Sequence, residues 1–215
     1  MYKRQALGNV LVGIALGLAV YYFATDALQY LRQSRLAEEL AGLGVVGADF
    51  PDRYVDSSEQ FDFTDWESED QAYWLGLEDG GIFGRLIAED IELDSVVVAG
   101  HSRANLKRGP AWVDYTDLPG PTGNTGISGH RTTYGAPFRR LDELEAGDTI
   151  DLYSPYRRYR YAVTEVFRVR PWQTEVLTST VDPQLTLTAC DPPYSAAYRL
   201  IVSADLVGVG RLEEE

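Results

Sequence analysis

The chain holds one cysteine, Cys190, two histidines, His101 and His130, and an arginine, Arg199, a short way after the cysteine. Together these residue types could carry out acyl chemistry. A thiolate that attacks an amide carbonyl needs donors for the developing oxyanion and a group that moves protons. A guanidinium meets the first need without ever losing its charge, and an imidazole meets the second. His130 lies in NTGISGHRTTYGAPF, just after a strand-like run, and His101 lies in GHSRANLKRG. Taken singly, each residue has an ordinary reading, since a lone cysteine on a strand is commonly a small buried hydrophobe. Only their joint arrangement argues for catalysis.

The elements that must position them can be read from periodicity. Leu185, Leu187 and Ala189 alternate with Thr186, Thr188 and Cys190, the period-2 pattern of a half-buried strand. Cys190 is expected to be its last residue, because Asp191, Pro192 and Pro193 follow and a proline cannot extend a ladder. A second alternating run, Tyr198 to Leu206, returns at once, so Cys190 and Arg199 are expected to face each other across a hairpin-like pair.

Three motifs in order, GHR at 129–131, TLTAC at 186–190 and Arg199 in YRLIV, resemble the sortases, the cysteine transpeptidases of Gram-positive cell surfaces. SGHRTTYGAPF is most similar to the class E sortases of actinobacteria, and the likeness runs from about Ile82 to Leu206. One departure is that Ala189 stands where the family's TLxTC motif has threonine; since Ala189 points away from the Cys190 face, a packing effect is expected rather than lost chemistry. The resemblance implies an all-β fold, a closed barrel of about eight strands with short helices. It also implies Cys190, His130 and Arg199 as the catalytic set, with Thr188 and Ala189 beside them as substrate-binding positions. The expected reaction cleaves a Thr-Gly bond in an LPxTG- or LAxTG-like sorting signal, through a thioacyl intermediate on Cys190. Transfer to an amine of a peptidoglycan precursor or a pilin completes it. His101 falls on no sortase motif and is expected to be a surface or satisfied histidine.

The remaining chain sets the context. Leu7 to Thr25 is apolar and follows Lys3 and Arg4; at helical rise it spans about 28 Å, enough to cross a bilayer. It is longer than a signal-peptide core and lacks a clean cleavage site. A single-pass anchor (residues 1–25) with an extracytoplasmic catalytic part is therefore expected at the cell membrane. Residues 26–80 form a second region. Leu28, Leu31, Leu36 and Leu40 have helical spacing and read as a juxtamembrane spacer ending near Gly42 and Gly44. From Val45 to Gly80, eleven acidic residues stand against Arg53 alone, with seven aromatics interleaved. So many aromatics are expected to dock on the barrel, guided by a basic stripe of Arg158, Arg160, Arg168 and Arg170. The lid motif of pilus-building sortases, Asp-Pro followed by an aromatic, is absent. Residues 81–215 are expected to form the catalytic barrel.

The net charge of -14 argues against nucleic acid as a partner. One cysteine allows no intrachain disulfide. The cysteine and histidines lack zinc-ligand spacing, no phosphate loop is present, and no cofactor is expected. A papain-like protease is disfavoured because that family places cysteine before histidine. A hydrolytic cysteine peptidase of the same fold and a non-catalytic peptide-binding barrel stay open.

Overall fold

The computed structural model describes residues 2–43 and 61–212. The first element is one unbroken helix, α1 (Tyr2–Gly42). It runs straight through the expected anchor boundary at residue 25, because no proline and no paired glycine interrupts it there. Its first half is exposed, including Leu11, Ile14, Leu18 and Phe23, and residues from Gly8 onward are long and apolar enough to cross a membrane. Its second half is more than a spacer. Leu36 and Leu40 are buried in a cluster with Ile82, Val96, Val98, Ala111 and Tyr153. One turn earlier, the Gln33 amide donates to the carbonyls of Val96 (3.2 Å) and Arg108 (2.7 Å) and accepts from the Val96 N–H (2.8 Å) and the Ser95 hydroxyl (3.1 Å). A helix stripe spaced by three and four residues thus seats α1 on the barrel.

Short helix α2 (Ala72–Leu75) leads into the barrel strands β1 (Ile82–Ala88) and β2 (Leu93–Ala99). Helix α3 (Arg103–Leu106) comes next, capped by the Ser102 hydroxyl accepting from the Asn105 N–H. Strands β3 (Ala111–Trp112), β4 (Asn124–Gly129), β5 (Thr149–Tyr153), β6 (Arg157–Val169), β7 (Gln184–Asp191) and β8 (Tyr198–Arg211) complete the set. These eight strands close in the order β1-β2-β3-β4-β7-β8-β6-β5. Pairings β2–β3 and β4–β7 are parallel, and the others are antiparallel. The expected all-β closed barrel is what the chain forms. Phe83, Leu86, Ile127, Leu152, Tyr159, Leu185, Leu187 and Val202 fill its interior.

The acidic, aromatic segment docks as expected from residue 61 onward; its earlier part, with Phe50 and Tyr54, lies outside the described residues. Phe61 bridges to Val209, and the indole N–H groups of Trp66 and Trp74 donate to the carbonyls of Pro119 (3.0 Å) and Phe83 (2.8 Å). The expected arginine partners need correction. Arg157, fully buried, takes the segment: its guanidinium bonds Asp70, the Thr64 carbonyl, the Asp62 carbonyl (3.0 Å) and Glu69 (2.8 Å). Of the stripe, Arg158 and Arg160 approach Asp151, Arg168 pairs with Asp191, and Arg170 lies over the Tyr198 ring. Those guanidiniums meet carboxylates and rings of the barrel itself, whereas Arg157 sits at the end of β6 where the segment crosses.

Candidate active site

Cys190 and Arg199 are cross-strand partners in the β7–β8 ladder, as the sequence spacing suggests. Directly opposed residues of an antiparallel pair lie on the same face, with Cβ atoms about 5 Å apart. His130 arrives from elsewhere in the chain. Parallel pairing of β4 with β7 sets Ser128 against Thr188 and Gly129 against Ala189, so His130, one residue on, leaves the barrel end beside Cys190. Gly129 is required there: a Cβ would come 2.5 Å from the Phe138 ring. The loop after His130 folds back so that the Phe138 N–H donates to the His130 carbonyl (3.0 Å).

Cys190, His130, Arg199, Thr188 and Ala189 all line one cleft of about 320 Å³. Pro171, Val176 and Leu177, from the connection between β6 and β7, form its opposite wall. That connection also explains why β7 is buried on both faces rather than half-buried. Thr186 donates to the Asn124 side chain (2.8 Å), and the Asn124 amide donates in turn to the Val176 (3.0 Å) and Thr178 (3.3 Å) carbonyls, clamping the turn over the strand. Ala189 points into the barrel core, consistent with a packing role for the alanine that replaces threonine in TLxTC.

The electrostatics are uneven. Burial pulls the His130 imidazole below its ordinary value, and the Lys107 ammonium adds to that pull; the ring lies 5.1 Å from the Tyr134 ring. The Arg199 guanidinium is held by long bonds to the carbonyls of Tyr198 (3.2 Å) and Ala196 (3.4 Å), and no carboxylate pairs with it among the described residues. His101 also lines the cleft, which the sequence did not indicate, but its Nδ1 is engaged 2.9 Å from the Asp114 carboxylate and its ring meets Tyr115 edge-on.

Two charged residues were missed. Asp191, expected only to stop the strand after Cys190, is itself the last residue of β7, opposite Tyr198, and is 2% exposed. Its carboxylate takes the buried Arg131 on one oxygen and Arg168 (2.7 Å) on the other, and Arg131 also reaches Asp142 (2.6 Å). Arg131 and Asp191 each immediately follow a candidate catalytic residue, so their ion pair ties the His130 loop to the Cys190 strand. The signal in the sequence is Arg131 itself, the R of GHR adjacent to His130.

Residues 86–207 match the sortase domain model. The chain belongs to the sortase family. Sortase SrtE1 of Streptomyces coelicolor is 33% identical over 138 residues, covering 56% of this chain and 36% of that protein. Sortase A of Streptococcus agalactiae is 26% identical over 136 residues, covering 60% of this chain and 54% of its own length. The chain thus spans only a third to about half of these relatives. Among solved structures, sortase E1 from Streptomyces coelicolor with a tripeptide in the active site superposes with a TM-score of 0.58 at 27% identity, covering 61% of this chain and 91% of that one. A Clostridium perfringens sortase D5 transpeptidase shares the fold at a TM-score of 0.65 and 24% identity, over 82% of this chain and 99% of that one.

Proposed function

We propose that this sortase is a membrane-anchored cysteine transpeptidase that cleaves the Thr-Gly bond of an LPxTG- or LAxTG-like sorting signal and transfers the acyl group to an amine. The observation that carries this reading is the register: Cys190 and Arg199 are paired across β7 and β8, and β4 delivers His130 to the same cleft end. The Cys190 thiolate attacks the threonine carbonyl carbon, forming a C–S bond. The developing oxyanion takes hydrogen bonds from the Arg199 guanidinium, which no carboxylate engages among the described residues. The C–N bond then breaks as the His130 imidazolium gives its proton to the departing glycine amine. A depressed pKa favours this step, because it makes the imidazolium readier to release that proton. An incoming amine, from a peptidoglycan precursor or a pilin lysine, attacks the thioester carbon. It passes its proton to His130 and expels the thiolate. Apolar wall residues Val169, Val176, Leu177 and Ile201 suit the leading Leu and the Pro or Ala of the signal.

Thr188 and Ala189 border the bound peptide in this reading, with Ala189 acting through packing beneath it. Lys3 and Arg4 before the apolar half of α1 set the N-terminus inside and the barrel outside. The deciding experiment incubates the full-length protein with LPxTG and LAxTG peptides, with and without an added amine, and identifies products by mass spectrometry. A ligated product that disappears in Cys190→Ala supports transpeptidation. Cleavage with no ligated product at any amine concentration makes the protein a hydrolytic peptidase, and no Cys190-dependent reaction with either peptide overturns the reading.

A further inference from the structure

Helix α1 holds the barrel by contacts that begin inside its apolar half. The Tyr21 hydroxyl lies 3.4 Å from that of Tyr134, and Arg139 donates to the Tyr22 hydroxyl (3.1 Å). Tyr21 and Tyr22 stand in the last turns of the apolar run, where a helix leaves the hydrocarbon and tyrosines settle at the interface. One turn further out, the Asp26 carboxylate accepts from the Gly135 N–H (3.1 Å) and the buried Gln29 amide donates to the Arg108 carbonyl (2.6 Å). Gln33, Leu36 and Leu40 then continue the seam to the far edge of the barrel. An uninterrupted helix fixed at so many levels leaves the barrel no hinge.

The edge lying level with Tyr21 and Tyr22 is therefore set at headgroup depth. It consists of the loop after His130, carrying Tyr134 and the exposed Arg139, and the end of α3, where the exposed Lys107 has its ammonium 5.4 Å from the Tyr134 ring centroid. Basic side chains here contrast with a net charge of -14 for the whole chain. Asp26 accepts from the Gly135 N–H, and Glu92 pairs with Arg140 (3.2 Å).

Resting on the anchor reading above, we propose that the edge formed by Lys107, Tyr134 and Arg139 docks on anionic phospholipid headgroups of the outer leaflet. The cations meet lipid phosphates and the tyrosine lies at the interface, while the acidic remainder of the barrel stays away from the bilayer. Tyr134 touches both Tyr21 on the anchor and the ring of His130, so the candidate catalytic histidine is two side-chain contacts from the membrane helix. Acyl transfer is thereby confined to the bilayer surface.

The test uses the full chain in nanodiscs of phosphatidylcholine alone or mixed with phosphatidylglycerol, with a nitroxide on a single introduced cysteine in a Cys190→Ala background. Thr133→Cys reports the docking edge. Val181→Cys reports the opposite end, near where β4 and β7 begin. Thr133 should lose accessibility to an aqueous nickel relaxant severalfold relative to Val181 in the mixed discs. Lys107→Glu with Arg139→Glu, or the milder Gln pair, should restore it while the protein stays in the disc. Equal accessibility at both sites in a disc-embedded protein, or no response to either pair, overturns the docking and leaves the anchor standing. A chain that does not enter the discs overturns both.

Discussion

At the scale of single residues, the site gives each candidate a different sensitivity. Cys190→Ala removes the nucleophile and should abolish ligation, while His130→Ala should lower it by about 100- to 10,000-fold, the span of general acid–base assistance. Arg199→Lys retains charge but loses the planar fork, and a loss of about 100-fold or more in kcat is expected. His101→Ala should change the rate little, since its nitrogen is committed to Asp114; steady-state ligation assays on the four variants check this order. The imidazole offers a separate measurement. His130 should titrate by NMR below an ordinary histidine, and Lys107→Ala should move it part of the way back up, because burial is the larger cause and remains. With its folded pKa depressed, His130 favours the native state fully above the unfolded pKa, and this contribution is lost as pH falls through that value towards the folded one.

At the scale of elements, we propose that the acidic segment, described from residue 61 onward, acts as a brace. Its buried Asp70 meets Arg157 at one end of β6, and Val169 of the cleft lies at the other. Burial pushes the Asp70 carboxyl up against the pull of Arg157, so the pair holds only while both partners are present. Asp70→Ala leaves a buried guanidinium short of its partner and should cost about 3 kcal/mol, a fall in Tm of roughly 10 °C for a chain of this size. The rate of Cys190 alkylation in the folded protein should not change. Faster alkylation at unchanged Tm, measured with iodoacetamide alongside a thermal melt, would show a lid instead.

At the scale of the whole molecule, α1 joins its apolar half, long enough to cross a membrane, and the barrel into one body. Intact cells treated with protease should lose the domain beyond α1, and a protected domain would overturn the orientation we propose from Lys3 and Arg4. Within that body, the seam along α1 adds stability to the barrel itself. Leu36→Ala empties a buried site against Val96 and Tyr153 and should cost about 2–4 kcal/mol, read as a lower Tm of the full chain in detergent.

The sequence by itself determined what local pattern controls. The hairpin that pairs Cys190 with Arg199 follows from two alternating runs joined by a short loop, and the apolar length of α1 follows from hydropathy. Short strands with regular turn signals point to an all-β barrel or sandwich, and the closed barrel follows from the sortase resemblance; two-residue β3 is too brief to show a period. Tertiary structure decided what depends on distant chain segments meeting. His130 reaches Cys190 only because β4 pairs in parallel with β7, a contact with no local signature. Its motif marked the residue, but the register placed it. Arg157, and not the stripe that follows it, meets the acidic segment, because bulges in β6 and the competing carboxylates Asp151 and Asp191 redistribute the charges along that strand. Likewise Leu36 and Leu40 read as one face of a spacer until the barrel supplied the surface that buries them; amphipathic spacing shows that a helix has a partner face, and only packing shows which surface fills it.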